Sequence, residues 1–151
     1  MIDSNLVRRI AFAVVAIPLA LGIVWLGGWP LVALVAVISA LGARELLDFA
    51  ERQGIRPSRE FALGTAALIA PLTYLAVSDA ELAARLARWG PMAGALWLVA
   101  LLTWALARRA AGDRPLSSVA VTVLAVLYTG ALPAFLLVIR HGTEPVRSWP
   151  G

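Results

Sequence analysis

The stretch "IAFAVVAIPLALGIVWLGGWPLVALVAVISALGA", residues 10–43, decides the fold of this chain because its 34 residues include no charged side chain. As one α-helix it would be roughly 51 Å long at about 1.5 Å per residue, far more than the roughly 30 Å of hydrocarbon in a bilayer. The segment "LGGWP", residues 26–30, divides it, since two glycines permit a tight turn and a proline suits the first turn of a new helix. Trp25 and Trp29 flank the turn, and amphipathic aromatic side chains favour the membrane interface. The stretch therefore predicts two membrane helices joined by a close turn.

The composition of the whole chain extends this interpretation. Of its 151 residues, 61% are hydrophobic and 15% are charged, with a mean hydropathy of +0.85. An ordinary soluble domain has about 45–50% apolar and about 25% charged residues. Uncharged runs of roughly 17 to 34 residues alternate with short charged segments, and a membrane helix needs about 20. The sequence predicts an all-α protein, a polytopic transmembrane bundle of about five membrane-spanning helices, and it excludes a soluble globular domain.

Turn and cap residues give approximate helix boundaries. We predict helices at about 10–26, 30–52, 61–77, 89–107 and 117–139, within a single membrane-embedded region that covers residues 1–151. Gly54, with Pro57 beyond it, marks the end of the second helix. The segment "SDAELAARLARWG", residues 78–90, is predicted to be a separate interfacial turn or short helix capped by Ser78 or Asp79. Gly130 and Pro133 are expected to bend the last helix.

The basic residues give an orientation and a class of partner. All 13 are arginines, and the chain has no lysine. If the amino terminus is cytoplasmic, nine arginines lie in inner segments and four in outer ones, which agrees with the positive-inside rule. Because these arginines are spread between apolar spans, they favour anionic lipid headgroups as partners and argue against nucleic acid. The inner and outer sets are, respectively, Arg8, Arg9, Arg44, Arg52, Arg56, Arg59, Arg108, Arg109 and Arg114, and Arg85, Arg88, Arg140 and Arg147.

The segment "GARELLDFAERQGIRP", residues 42–57, brings both signs of charge to the end of the second helix. Arg44 and Asp48, and Asp48 and Arg52, are spaced i,i+4, which places opposite charges one turn apart. Glu45 and Arg44 adjoin the apolar part of the helix and can lie close to hydrocarbon depth. We therefore select Arg44, Glu45, Asp48 and Arg52 as candidates for bracing the bundle and contacting headgroups. The alternative is ordinary interfacial pairing of snorkelling side chains.

Most kinds of active site are absent from the sequence. Without cysteine there is no disulfide and no thiolate metal site. Without lysine there is no P-loop lysine and no Schiff base, and the motifs G-x-x-x-x-G-K-[ST], H-E-x-x-H and G-x-S-x-G do not occur. His141 is the single histidine, and we expect it to be a solvated loop residue. No residue of this chain is selected as catalytic, cofactor-binding or metal-binding.

Several residues that punctuate the apolar runs follow one another in a characteristic order. They are Arg8-Arg9-Ile10, Pro18, Gly27-Gly28, Glu45-Leu46, Gly54 and Pro57, followed by Tyr128 and Gly130 within "VLAVLYTGALPAFLLVIR", residues 123–140. This order resembles the amino-terminal part of bacterial phosphatidate cytidylyltransferases, also called CDP-diacylglycerol synthases. The resemblance implies a multi-pass enzyme of the bacterial inner membrane, with a second copy of the chain as a candidate partner in a homodimer. It would use Mg²⁺ to convert CTP and phosphatidate into CDP-diacylglycerol and pyrophosphate, a step of phospholipid biosynthesis.

The carboxy-terminal signature of that family does not occur here. It begins with serine and lysine-arginine and contains H-G-G followed by Asp-Arg, whereas this chain has "HGTEPVR" at residues 141–147 and no lysine. We therefore expect the amino-terminal half of such an enzyme, without its catalytic part and inactive alone. The alternative is a complete small membrane protein that serves as a non-catalytic scaffold or subunit. A transporter subunit has little support, because no span carries a charge.

Overall fold

The computed structural model describes residues 4–108 and 114–142, and within these ranges the chain is helical, with no β-strand. Five helical stretches there are long and apolar enough to cross a membrane, which confirms the predicted all-α fold class. The fifth, Pro115–His141, contains two α-helices joined by a π-helical segment. The elements are α1 (Ser4–Leu26), α2 (Gly28–Arg52), α3 (Arg59–Ser78), α4 (Ala80–Arg108), α5 (Pro115–Ala125), the π segment (Val126–Ala131) and α6 (Leu132–His141).

The outer surface of the bundle is apolar. Large hydrophobic side chains such as Phe12, Trp25 and Ile139 are 74%, 81% and 67% exposed. A protein in water rarely exposes so much contiguous apolar area, whereas hydrocarbon solvates it without penalty. The exposure pattern therefore agrees with a bundle whose sides face lipid.

The turn between α1 and α2 is shorter than predicted. We expected the second helix to begin near Pro30, but α2 begins at Gly28 and only Gly27 separates the two helices. The φ angles of Gly27 and Gly28 are +66° and +56°, values that favour glycine. The glycine pair itself thus reverses the chain, and Pro30 lies in the first turn of the new helix.

The end of α2 follows the predicted stop signals. Gly54 adopts a φ of +77°. Its N–H donates to the Glu51 carbonyl at 3.0 Å, and the Ile55 N–H donates to the Ala50 carbonyl at 3.1 Å. These two bonds form a Schellman motif, which satisfies carbonyls that the helix leaves unpaired. The chain then reaches α3 through a short connection, which brings the charged end of α2 beside the beginning of α3.

The predicted start of the fourth helix at about residue 89 is wrong. The helix begins at Ala80 and continues through Pro91 to Arg108, so residues 78–90 do not form a separate element. Asp79 Oδ1 accepts hydrogen bonds from the N–H groups of Glu81 (2.9 Å) and Leu82 (3.3 Å), and this caps the helix more than two turns before the predicted start. The alanine-rich sequence favours helix strongly enough that α4 continues through Pro91, although this proline has no N–H to donate.

Small residues let the central helices approach closely. Ala62, Ala66 and Ala70 occur every fourth residue of α3 and are fully buried. A Cβ on Gly130 of the π segment would lie 3.0 Å from the Ala66 Cα and 3.3 Å from the Ala66 carbonyl oxygen. In hydrocarbon, helices associate through such close packing because lipid tails are as apolar as leucine. The α3–π segment contact therefore depends on the absence of a side chain at Gly130.

The π segment precedes Pro133, at the position where a bend was expected. Proline has no N–H, and its ring clashes with the carbonyl four residues earlier in a regular α-helix, here that of Thr129. The wider π turn, in which the Leu132 N–H donates to the Leu127 carbonyl, accommodates the proline without ending the helix. The Thr129 hydroxyl donates to the Ala125 carbonyl at 2.7 Å and so satisfies an additional acceptor.

We expect Gly130→Ala to destabilise the bundle, because the new methyl group meets backbone atoms that cannot rotate away. Overpacking of this kind costs about 1–3 kcal/mol. Gly64→Ala on α3 is the matched control, since a Cβ there meets nothing within 4 Å and alanine favours a helix by up to about 1 kcal/mol. Thermal unfolding of the detergent-solubilised proteins compares the two. Equal apparent Tm values would show that the close approach at Gly130 does not matter.

Candidate functional site at the α2–α3 connection

The charged end of α2 meets the beginning of α3 through one arginine. Arg59 Nη2 lies 2.6 Å from Asp48 Oδ1, and Arg59 Nη1 lies 3.3 Å from Glu51 Oε1. On α2 itself, Arg44 Nε lies 3.9 Å from Asp48 Oδ2. The guanidinium of Arg59 therefore bridges two carboxylates from the neighbouring helix, an arrangement that its planar fork of donors suits better than a lysine.

The four candidate residues do not form one row. Arg44 and Asp48 lie in the expected i,i+4 pair. Asp48 makes its shorter contact with Arg59, however, and Arg52 is not among its ion-pair partners in the described part of the chain. Glu45 and Arg52 are exposed side chains outside this cluster. The predicted spacing placed Arg52 one turn from Asp48, but the Asp48 carboxylate pairs with Arg59 of α3 instead.

Sequence reasoning missed Arg59 and Glu51. The signal for Arg59 was present, since it follows Gly54, Pro57 and Ser58 at the beginning of the next helix. A helix that ends at Arg52 and another that begins at Arg59 are close enough for their terminal side chains to meet. Each of the ion pairs is partly exposed, where solvent screens the attraction between the charges, and the cluster orients the connection more than it stabilises it.

A chain of hydrogen bonds fastens the same connection to α5. The Ser118 hydroxyl donates to the Arg56 carbonyl at 2.6 Å. The Ser58 N–H donates to Thr122 Oγ1 at 2.9 Å, and the Thr122 hydroxyl donates to the Ser118 carbonyl at 2.8 Å. Ser118 and Thr122 are fully buried, where unpaired polar groups would be costly. We call these bonds the inner latch. No sequence pattern predicted it, since Ser118 and Thr122 looked like ordinary residues of a membrane span.

A cavity of about 230 Å³ lies beside the inner latch. Phe61 and Trp104 form its apolar wall, with ring centroids 6.1 Å apart, and the Arg108 guanidinium lies 4.1 Å from the Trp104 ring centroid. The Ser58 hydroxyl is buried and has no hydrogen-bond partner among the described residues. The remaining lining residues are Pro57, Arg59 and Glu60.

His141 lies at the other end of α2 and is not a solvated loop residue, so that expectation is wrong. It is the last residue of α6, it is half-buried, and it contacts the α1–α2 turn and Tyr74 of α3. The π segment accommodates Pro133, so the last span stays helical as far as His141. The end of α6 thereby reaches the α1–α2 turn.

Comparison with known proteins identifies the family. The model of the cytidylyltransferase family matches residues 7–146, nearly the whole chain. This chain belongs to the cytidylyltransferase family. No curated protein and no solved structure matches it. The family match confirms the resemblance that the order of punctuating residues indicated.

Membership in the cytidylyltransferase family supports a nucleotidyltransferase-type activity, and the apolar helices support a multi-pass membrane location. Among the described residues of this chain, the carboxylates do not gather in the way that a metal site requires. Within residues 4–108 and 114–142, no group of three or more His, Cys, Asp or Glu side chains could hold a metal ion. Asp48 and Glu51, the two carboxylates that come together, are both engaged by Arg59.

We expect Asp48→Arg to lower the stability of the bundle, because it places a third guanidinium beside Arg44 and Arg59 and removes a carboxylate that joins α2 to α3. Glu45→Arg makes the same change of charge at an exposed position of the same helix outside the cluster, and it should have little effect. The measurements are the monodisperse yield after membrane extraction and the rate of proteolysis. If both variants behave like the unmodified chain, the cluster does not brace the bundle.

Proposed function

We propose that this chain is the membrane-embedded helical part of a phosphatidate cytidylyltransferase, the enzyme of phospholipid biosynthesis that converts CTP and phosphatidate into CDP-diacylglycerol and pyrophosphate. The observation that carries the proposal is the family match over residues 7–146. The five apolar helical stretches support it, because a substrate with two acyl chains stays in the bilayer. The enzyme must then hold that substrate at the interface where CTP arrives from water.

The described residues do not fit the Mg²⁺ that the family implies. The acidic side chains that come together form ion pairs with Arg59 and are not arranged as a set of metal ligands. Phosphoryl-type transfer needs cations to neutralise the charge on the nucleotide phosphates. We infer that the metal-binding and nucleotide-binding groups belong to the family's signature segment, with lysine-arginine, H-G-G and Asp-Arg, which does not occur among these 151 residues.

The role proposed for this chain is to build the membrane framework on which that segment acts. The Arg59 cluster and the inner latch hold the α2–α3 connection against α5. Arg44 and Arg52 are exposed beside this connection, at the level where lipid phosphates lie if α2 crosses the bilayer. We propose that Arg44 and Arg52 contact anionic headgroups there, while Asp48 braces the helices and Glu45 remains at the interface.

The proposed location is the bacterial inner membrane, with a cytoplasmic amino terminus, and the proposed assembly is a homodimer. The arginine distribution supports the orientation, with nine residues on one side and four on the other. The α2–α3 connection, which carries Arg52, Arg56 and Arg59, then faces the cytoplasm, where CTP is available.

A second candidate function is a non-catalytic scaffold or subunit of a larger assembly. It is favoured by the absence of a metal-binding group among the described residues and of the family signature from the sequence. Both functions use the same bundle, and they differ in whether addition of the signature segment produces activity.

We expect the 151-residue chain to form no CDP-diacylglycerol above an empty-vector control, and to gain activity when a carboxy-terminal half that carries the family signature is fused to it. The assay measures radiolabelled CTP incorporated into chloroform-soluble lipid in isolated membranes. The carboxy-terminal half alone is the matched control. Activity of the unfused chain would contradict the non-catalytic role, whereas an inactive but well-folded fusion would favour the scaffold.

We expect Gln53→Cys to be shielded and Ala80→Cys to be labelled when intact spheroplasts are treated with a membrane-impermeant maleimide. The chain has no native cysteine, and both positions are exposed, Gln53 in the connection before α3 and Ala80 at the beginning of α4, just after α3. Labelling after membrane permeabilisation serves as the control for reactivity. The opposite pattern of labelling would show that the chain has the reverse of the proposed orientation.

A further inference from the structure

The carboxy-terminal end of α6 forms hydrogen bonds with the turn between α1 and α2. The Gly28 N–H donates to His141 Nε2 at 3.0 Å, across 113 residues of sequence. Arg140 Nη2 donates to the Trp25 carbonyl at 3.2 Å, and Arg140 Nε lies 3.4 Å from the Val24 carbonyl oxygen. We call the contacts that His141 and Arg140 make with this turn the outer clasp.

The two nitrogens of His141 have opposite roles in the outer clasp. Nε2 faces a backbone N–H, so it must carry a lone pair and accept. Nδ1 lies 3.2 Å from the Leu137 carbonyl oxygen, so it must carry the hydrogen and donate. Both bonds exist together only in the neutral Nδ1–H tautomer. A proton added at Nε2 would turn that nitrogen into a donor facing another donor, and the bond to Gly28 would be lost.

Aromatic rings hold the imidazole in this orientation. Tyr74 of α3 packs edge-on against His141, with centroids 5.1 Å apart, and Trp29 packs edge-on against Tyr74 at 5.2 Å. A Cβ on Gly27 would lie only 3.1 Å from His141 Nε2. The glycine pair of the turn is therefore required for the approach of the histidine as well as for the reversal of the chain.

A protonated His141 would also lie beside another cation. The position of a Cβ on Gly27 is 3.1 Å from His141 Nε2 and 3.8 Å from Arg140 Nε, so the two side chains share one small region. Among the described residues, the ionisable groups packed there are the Tyr74 phenol from α3 and Arg140 from α6, while the turn contributes backbone groups and Trp29. The α6 carbonyl end favours a cation, but no described carboxylate balances the pair.

The position of α1 depends strongly on this contact. Ile23 and Val24, in its last two turns, pack against the core residues of the neighbouring helices. Most of its preceding large side chains are exposed, including Phe12, Val15 and Leu19. The outer clasp and this short contact are thus what attach α1 to the bundle.

We propose that His141 makes the outer clasp sensitive to acid, so that uptake of one proton at Nε2 releases the α1–α2 turn and frees α1 to move relative to α3. The step adds a proton from water to an imidazole to give an imidazolium, and it needs no other reactant. It breaks the Gly28 hydrogen bond and places two cations side by side. This device does not depend on the proposed transferase function.

The first experiment reads the tautomer of His141 directly. Because the chain contains one histidine, ¹⁵N-histidine labelling of the full chain in lipid nanodiscs gives a single pair of ring signals. We expect the ring signals of the neutral Nδ1–H form at about pH 8 and those of the imidazolium after the sample is acidified. A neutral Nε2–H tautomer at the higher pH would overturn the proposal.

The second experiment measures the movement of α1. Spin labels on Val15→Cys in α1 and Leu68→Cys in α3, both exposed positions of a cysteine-free chain, report one interhelical distance. We expect a narrow distance distribution at about pH 8 and a broad or shifted one at about pH 5, reversibly.

Two variants of the labelled chain separate the proposed cause from others. His141→Gln supplies an acceptor that does not titrate, and it should keep the distribution narrow at both pH values. His141→Phe keeps a ring against Tyr74 but removes the acceptor, and it should broaden the distribution at both. An unchanged distribution in the unmodified chain, or the same acid response in His141→Gln, would overturn the proposal. If the glutamine variant does not fold, the ring signals of the unmodified chain still decide.

Discussion

Helices in hydrocarbon have no water to pair with their backbone groups. They also gain no hydrophobic free energy when they exchange contacts with lipid for contacts with one another. The bundle therefore depends on how closely its helices can approach. The contact between α3 and the π segment meets this constraint with Ala66 and Gly130, between which there is no room for another methyl group. Dispersion forces fall steeply with distance, so this missing side chain allows the carboxy-terminal span to lie against α3.

The consequences of that approach appear at both ends of the bundle. At one end, α5 comes near enough to the α2–α3 connection for Thr122 and Ser118 to form the inner latch. At the other end, α6 reaches the α1–α2 turn and places His141 against Gly28. Between the two ends, the π segment keeps the last span helical despite Pro133. One close helix contact thus positions two sets of polar contacts that are far apart along the chain.

Membership in the cytidylyltransferase family fits a protein whose polar groups mainly hold helices together. The carboxylates of Asp48 and Glu51 at the α2–α3 connection both pair with Arg59, an arrangement that joins α2 to α3. The outer clasp likewise uses its histidine as a hydrogen-bond acceptor from a backbone group. Phosphoryl-type transfer requires groups that bind the metal and the nucleotide phosphates. In the proposed function, these groups belong to the signature segment.

The sequence alone determined the number of helical stretches, the turn at Gly27-Gly28 and the end of α2 at Gly54, because each depends on hydropathy or on the backbone freedom of residues close together in the chain. It also indicated the family, through the order of those same residues. Only the tertiary structure decided that Asp48 pairs with Arg59 instead of Arg52, that Thr122 and Ser118 fasten the α2–α3 connection, and that His141 is held between helices. These contacts join residues from 11 to 113 positions apart. Their geometry depends on how closely and at what height the helices pack, and periodicity within one helix carries no information about either.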